Sequence, residues 1–207
     1  RSTKSTNCCR GSRSMPLDFD NAAHAYTLNG VRVPSVTEVL SPLEDFSRIP
    51  HDVLEAARVF GQHVHVAMAL LVRDELDWAA LDPSLVPYIV GGKRFLEESG
   101  ITVVASEQRV CSKKLQVAGT FDLFGVWRDA ECLIDFKATA AIPKSVGPQS
   151  AGYDLLRRET FGGKKAKRYC VQLRDNDYRF VPLTDPRDYA IFISCLNVFK
   201  WRNSNAA

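Results

Sequence analysis

The sequence predicts a mixed α/β domain with helices packed on a central sheet. Three observations carry this. Apolar residues recur at three and four from Asp52 to Leu76, the stripe of an amphipathic helix. Apolar and polar residues alternate from Ile101 to Val110 and along the two arms either side of Arg128-Asp129, as half-buried strands do. The core order is then helix, three strands, helix, strands, helix, which suits helices covering a sheet.

Each element has its own signal. His24–Ser35 (HAYTLNGVRVPS) alternates around Asn29-Gly30, the pair that favours a tight primed hairpin turn. Ser35 and Glu38 have capping-box spacing, so a short helix runs to about Leu40, before Pro42. The Asp52–Leu76 helix follows. A second helix spans Leu85–Glu98, weakened by Gly91-Gly92 and ended by Gly100. After the strand Ile101–Val110 and the hairpin comes a loop bearing Pro and Gly (142–148), then a helix from Gln149 to about Glu159. Strands Lys167–Arg174 and Tyr178–Leu183 turn at Asp175-Asn176-Asp177. A last helix, Pro186 to Trp201, takes Asp185 as its N-cap.

At 207 residues and 45% hydrophobic content the chain can bury one proper core. No apolar run has the ~18 residues of a membrane helix, so no membrane partner is expected. Residues 1–14 carry no periodicity and no Leu, Ile, Val or Phe. They read as a disordered leader or expression remnant, with Met15 the natural start and 15–207 a single domain. Arg1, Lys4, Arg10 and Arg13 lie in that leader; removing these four from the 27 basic residues leaves 23 against 24 acidic ones. Global charge therefore gives no reason to expect nucleic acid. Local charge differs: Arg157, Arg158, Lys164, Lys165, Lys167, Arg168, Arg174 and Arg179 face only Glu159, Asp175 and Asp177 in the same stretch. Such density suits a polyanion and equally a solvated face. Six cysteines without CxxC spacing read as free thiols in a reducing compartment.

The hairpin raises the chemical question, because Asp122 (GTFDLFGVW) and Asp135 (ECLIDFKAT) interrupt strands of core residues, and Lys137 follows Asp135 at two. Alternation puts Asp135 and Lys137 on one face. If Trp127 pairs with Ala130, Asp122 lies opposite Asp135; a turn shifted by one places it opposite Lys137. Either even-length loop brings all three together within about 5.5 Å across the ladder. Two such carboxylates repel unless a cation joins them, and Mg²⁺ or Mn²⁺ beside an ammonium would suit a scissile phosphate. An isolated D-x-K, by contrast, reads as an exposed ion pair.

Further residues weigh against that plain reading. G-x-x-x-H (Gly61–His65), G-x-x-D (Gly119–Asp122), D-x-K (Asp135–Lys137) and Q-x-x-x-Y (Gln149–Tyr153) occur in that order. Together they resemble the RecB-type branch of the PD-(D/E)XK nucleases, which includes phage lambda-type exonucleases and mitochondrial genome-maintenance exonucleases. The resemblance covers roughly residues 24 to 183. It implies a restriction-endonuclease-like core (αβββαβ) and a metal-dependent deoxyribonuclease, expected to be an exonuclease acting on DNA ends or single strands. By the same resemblance Asp122, Asp135 and His65 are metal ligands with the backbone carbonyl of Phe136, and Glu107 matches a further acidic position. Lys137 assists the attacking water and the scissile phosphate. Gln149 orients the lysine or a phosphate, and Tyr153 contacts DNA. His63, roughly 200° from His65 around the helix, should not share its metal. Thr139 and Lys144 are candidate phosphate contacts. Arg157, Arg158, Lys164, Lys165 and Lys167 would grip the DNA backbone without sequence preference.

The spacing of an iron–sulfur site is absent. Expected surroundings are the cytoplasm of a bacterial or phage-infected cell rather than a mitochondrion, with a recombination or replication protein as a possible partner. A structure- or sequence-specific endonuclease of the same fold, and a catalytically silent DNA-binding module, are the alternatives.

Overall fold

The structure, a computed structural model, describes residues 17–20, 23 and 25–204. Expectations for the leader, with Cys8 and Cys9, for Met15 and for His24 lie outside those residues. The Asn29-Gly30 signal is met: both residues have positive φ (54° and 77°) and join β2 (Ala25–Leu28) to β3 (Val31–Val33). A strand that the sequence did not announce, β1 (Leu17–Asp20), pairs antiparallel with β2. Ser35 then caps α1 (Val36–Val39) with both bonds of a capping box, Ser35 Oγ accepting from Glu38 N–H at 3.0 Å and Glu38 Oε2 from Ser35 N–H at 2.7 Å. A single 3₁₀ turn, Ser41–Leu43, follows.

The long helix α2 runs His51–Val72 and stops before Leu76, where Asp74 takes φ 58°. Helix α3 (Val86–Ser99) ends on Gly100 at φ 66°. Its Gly91-Gly92 pair is no weakness in place: a Cβ on Gly91 would strike the Asp177 carbonyl, and one on Gly92 the Met68 sulfur. Three antiparallel strands come next, β4 (Thr102–Ser112), β5 (Val117–Trp127) and β6 (Ala130–Lys137). Trp127 pairs with Ala130, and Arg128 and Asp129 form the two-residue turn with φ 49° and 59°. Helix α4 (Val146–Phe161) starts three residues earlier than expected. Pro148, read as a loop residue, sits in its first turn, where no N–H is needed. Strands β7 (Lys167–Arg174) and β8 (Asp177–Pro182) turn at Asn176 (φ 54°), and α5 spans Asp188–Ser204. Asp185 caps the approach to α5, accepting from Arg187 N–H at 2.9 Å.

The five-stranded sheet has the order β4-β5-β6-β7-β8 and is mixed. Only the β6–β7 pair is parallel, as a crossover through α4 requires. Its two faces are covered separately. Val39, Leu156, Phe192 and Leu196 of α1, α4 and α5 pack with Val110, Phe121 and Leu133. Val64 and Met68 of α2 and Ile89 and Phe95 of α3 pack with Leu123, Ile134, Phe136 and Val171. The β1–β3 sheet leans on β5 through Ala118, whose N–H bonds the Pro34 carbonyl at 3.0 Å.

Candidate metal centre

Alternation along β5 breaks at Asp122. Phe121 and Leu123 are two residues apart and should share a face, yet Phe121 belongs to the α4–α5 cluster and Leu123 to the α2–α3 cluster. Paired residues of β5 and β6 run only from Trp127↔Ala130 to Leu123↔Ile134. Beyond that point the Asp122 side chain replaces the ladder, with Oδ2 accepting from Phe136 N–H at 2.7 Å. On β4, Glu107 falls between the pairs Ser106↔Leu123 and Gln108↔Phe121, and it takes φ 49°. A left-handed glutamate within a strand is a strained residue, of a kind that collects at functional sites. The even-length turn is therefore as foreseen, but the three charged side chains are not simply stacked on one pleated face.

Helix α2 completes the arrangement. His65 stands beside its buried stripe of Val64, Ala67 and Met68, and Nδ1 lies 3.2 Å from Asp122 Oδ1. One ligand atom from each of His65, Glu107 and Asp122 lies within 4.8 Å of the others. Asp135, one strand over and 3% exposed, is held instead by Lys137, whose Nζ is 2.9 Å from Oδ1 and 2.8 Å from Oδ2. The ammonium donates to Oδ1, leaving the buried Oδ2 beside a positive charge but without a hydrogen bond of its own. Because N–H and C=O of one strand residue leave on the same edge, the Phe136 carbonyl faces the Asp122 side as its amide does.

The charges of this cluster do not balance. Burial, reinforced by the Asp122 charge, pushes the Glu107 carboxyl up to about 7. Burial likewise raises Asp135, which Lys137 only partly offsets. Asp122 goes the other way: burial opposes its charge, but His65, Lys137 and the Phe136 N–H outweigh it and hold the carboxyl below its usual range. Burial disfavours the His65 and Lys137 cations too, yet Asp122 raises the imidazole, and Asp135 with Asp122 raises the ammonium. Three carboxylates converge on one lysine and one histidine, with Asp135 Oδ2 lacking a donor. This donor set fits a hard divalent cation.

His65, Glu107, Asp122 and Lys137 open into a cleft of about 770 Å³, lined also by Gly61, Gln62, His63, Gly119, Gln149 and Tyr153, while Asp135 stays behind its wall. His63 borders the cleft but lies outside the three-residue cluster. Gln149 donates to the Tyr153 hydroxyl at 3.3 Å. Tyr153 is buried, and its ring lies where a Gly119 Cβ would approach Cε1 to 2.8 Å, which explains the glycine of G-x-x-D by packing. Thr139 is exposed and bonds the Ala141 carbonyl at 2.9 Å, while buried Gln172 ties down the carbonyls of Thr139 and Ala140 at 2.7 and 3.0 Å. Lys144 is exposed in the loop before α4.

The basic segment is not where a nuclease reading would want it. Lys167 pairs with Cys132 and Gln172 with Lys137, so Lys167 lies five residues, about 16 Å, down the sheet from the site. None of Arg157, Arg158, Lys164, Lys165 and Lys167 lines the cleft. Arg157 is 3% exposed and donates to Asp154 and to the Lys164 carbonyl. Arg158 also pairs with Asp154, at 3.0 Å. Asp154 is fully buried, with Tyr189 and Ala166 N–H as further donors at 2.9 and 3.1 Å. This carboxylate hub went unread; an Asp between Tyr153 and Leu155 in an apolar helix face was its only signal.

Two walls of the cleft were also missed: Phe19 and Tyr26 from the small sheet, and Arg58 from α2. Cys111, Cys132, Cys170 and Cys195 are free, with burial pushing Cys132 up to about 11 and Cys170 up to about 12. No helix of the described residues is long and apolar enough to cross a membrane.

No family model and no curated protein matches this chain. A solved structure described as "Crystal structure of SSO0001" aligns with 13% identity and a TM-score of 0.36, over 67% of this chain and 73% of that one. At that distance the site has to be read from its own chemistry.

Proposed function

We propose that this chain is a Mg²⁺- or Mn²⁺-dependent deoxyribonuclease of the PD-(D/E)XK type that degrades DNA from its ends. The order α2, α3, β4, β5, β6, α4, β7 supports the αβββαβ reading of the core, with α3 as an additional helix before the first core strand. The observation that carries the proposal is Asp122 at the point where β5 and β6 part, with His65 and Glu107 against it and the Asp135–Lys137 pair on the next strand.

His65, Glu107, Asp122, Asp135 and the Phe136 carbonyl are the groups that would hold the cation. When bound, a divalent ion supplies a Lewis acid for the phosphate and a water of lowered pKa. In hydrolysis the water oxygen bonds to phosphorus, one P–O bond to the sugar breaks, and the departing oxygen gains a proton. Lys137, whose ammonium donates to Asp135 at 2.9 Å and lines the cleft, would assist the attacking water and donate hydrogen bonds to the phosphate as negative charge builds. Gln149 donates to the Tyr153 hydroxyl, and both side chains line the cleft. End trimming of this kind serves recombination and repair, and that is the setting we propose.

The test uses end-labelled linear DNA and a closed circle with Mg²⁺, Mn²⁺ or EDTA. Metal-dependent loss of the linear form with the circle spared supports an exonuclease; cutting of the circle supports the endonuclease reading. Lys137→Ala should slow cleavage at least about 100-fold, the scale of losing one charge-stabilising donor. Binding without any metal-dependent cleavage would leave a silent DNA-binding module.

A further inference from the structure

We propose that Gln172 is a positioning residue for the hydrolysis: its side-chain amide clamps the chain just beyond Lys137 and so sets where the Lys137 ammonium meets the phosphate. This rests on the nuclease reading above. Gln172 is a buried amide within β7, a strand whose Val171 and Leu173 point into the α2–α3 layer. Alternation turns Gln172 to the opposite face. Asp135 and Lys137 share that face, because Ile134 and Phe136 also pack into the α2–α3 layer. Gln172 is moreover the register partner of Lys137 in the last pair of the parallel β6–β7 ladder. A buried amide needs hydrogen-bond partners. Gln172 finds them past the end of β6, where Nε2 donates to the Thr139 carbonyl at 2.7 Å and to the Ala140 carbonyl at 3.0 Å.

The clamp accounts for the course of the chain after β6. The β6–β7 pairing ends at Lys137, two successive carbonyls then turn to one side chain, and Thr139 Oγ1 closes the curl on the Ala141 carbonyl at 2.9 Å. The end of β6 is thereby bracketed from both neighbouring strands. Asp122 on the β5 side accepts the Phe136 N–H, and Gln172 on the β7 side holds residues 139 and 140. Lys137 lies between the two brackets and lines the cleft. Its ammonium rides on a flexible four-carbon stem, so both ends of the side chain have to be fixed. Asp135 locates the tip, at 2.9 and 2.8 Å; the clamp locates the root. A displacement of ~1 Å near a reacting centre costs ~100-fold in rate. Thr139 and Ala140 are exposed, so water can take over their carbonyls once the amide is gone. Loss of the clamp therefore loosens the curl and the root of Lys137 while both layers of the core stay packed.

The experiment compares the intact protein with Gln172→Leu, which keeps the bulk and removes both donors. The first readout needs no cleavage: the side-chain ammonium signal of Lys137 in a nitrogen NMR spectrum, identified by its disappearance in Lys137→Ala. Gln172→Leu should shift or broaden that signal while those of the other lysines stay in place; an unmoved signal overturns the clamp. The second readout is kinetic. With linear DNA and saturating Mn²⁺, kcat should fall about 10- to 100-fold at unchanged KM. In a Lys137→Ala background the same substitution should change the rate by less than about twofold, because no ammonium is left to misplace. A loss confined to KM, or an undiminished loss without Lys137, would overturn the clamp and leave Gln172 a role in binding or stability alone. Should Gln172→Leu fail to fold, Gln172→Met, unbranched and equally without amide donors, is read in the same way. A moved Lys137 signal in a protein that cleaves no DNA sinks only the nuclease reading. Cleavage with the signal unmoved sinks only the clamp.

Discussion

Glu107 concentrates the physics of the site in one residue. Its φ of 49° is a strain on the order of 1–3 kcal/mol, and its carboxyl is raised from an ordinary 4.5 to about 7 by burial and Asp122. In the metal-free fold it keeps its proton up to about pH 7, whereas the unfolded chain releases that proton near 4.5. Between those values the folded state binds more protons, so stability falls as pH rises. His65 acts in the same sense: raised above 6.5, it contributes stability at lower pH that is lost as pH climbs through its folded value. Asp122, depressed below 3.8, matters only in stronger acid, outside this window. The EDTA-treated protein should therefore melt at a lower temperature at pH 8 than at pH 5.5. Mn²⁺ should raise the melting temperature more at pH 8, where the carboxylates no longer have to release protons to bind it. Melting curves at both pH values settle this, and a larger metal effect at pH 5.5 would contradict the assigned ligands.

Two glycines of the helical layer separate packing from function at the level of elements. In a helix interior, Gly→Ala gains up to ~1 kcal/mol. At Gly61 of α2 nothing obstructs a Cβ, so Gly61→Ala should raise the melting temperature by about 2–4 °C, whereas a large side chain there should fill the cleft and lower activity without loss of stability. At Gly91 of α3 the Asp177 carbonyl blocks a Cβ, and overpacking of ~1–3 kcal/mol outweighs the propensity gain, so Gly91→Ala should melt lower. Thermal scans of the pair should move in opposite directions. The sequence showed both turns and α2 because Asn-Gly, even loop length and a 3.6-residue period are local signals. It did not show the start of α4, because Pro148 reads as a breaker unless its place in the first turn is known. The phase break at Asp122 was invisible for a deeper reason: strand alternation assumes an unbroken pleat, and what breaks it is a carboxylate accepting the Phe136 N–H from another strand.

Across the whole molecule, charge density along the chain misjudged charge placement in space. His65, Asp122, Asp135 and Lys137 could be grouped from motif order, since each sits on an element that the sequence announces. Arg157, Arg158 and Arg168 looked like phosphate ligands only because their partners Asp154 and Asp188 are distant in sequence or turn inward with the fold. Lys164, Lys165 and Lys167 are exposed, but at the end of the sheet away from the cleft. On the cleft side stand Arg58, which lines it, and Arg73, whose charge reaches Glu107. Counterion release gives a way to tell these sets apart, because each lost phosphate contact reduces the salt dependence of binding by about one unit of slope. Arg58→Ala and Arg73→Ala should each flatten the plot of log affinity against log salt by about that amount. The triple change of Lys164, Lys165 and Lys167 to Ala should leave slope and cleavage rate nearly unaltered. Arg157→Ala should behave in a third way: it removes one of two cations from the buried Asp154 carboxylate, which Arg158, Tyr189 and the Ala166 N–H still hold, costing about 1.5–3 kcal/mol of stability while the surviving folded protein binds DNA normally. If the triple lysine variant alone flattened the salt plot, the strand would have to cross the far end of the sheet, and the cleft side would lose its claim as the DNA track.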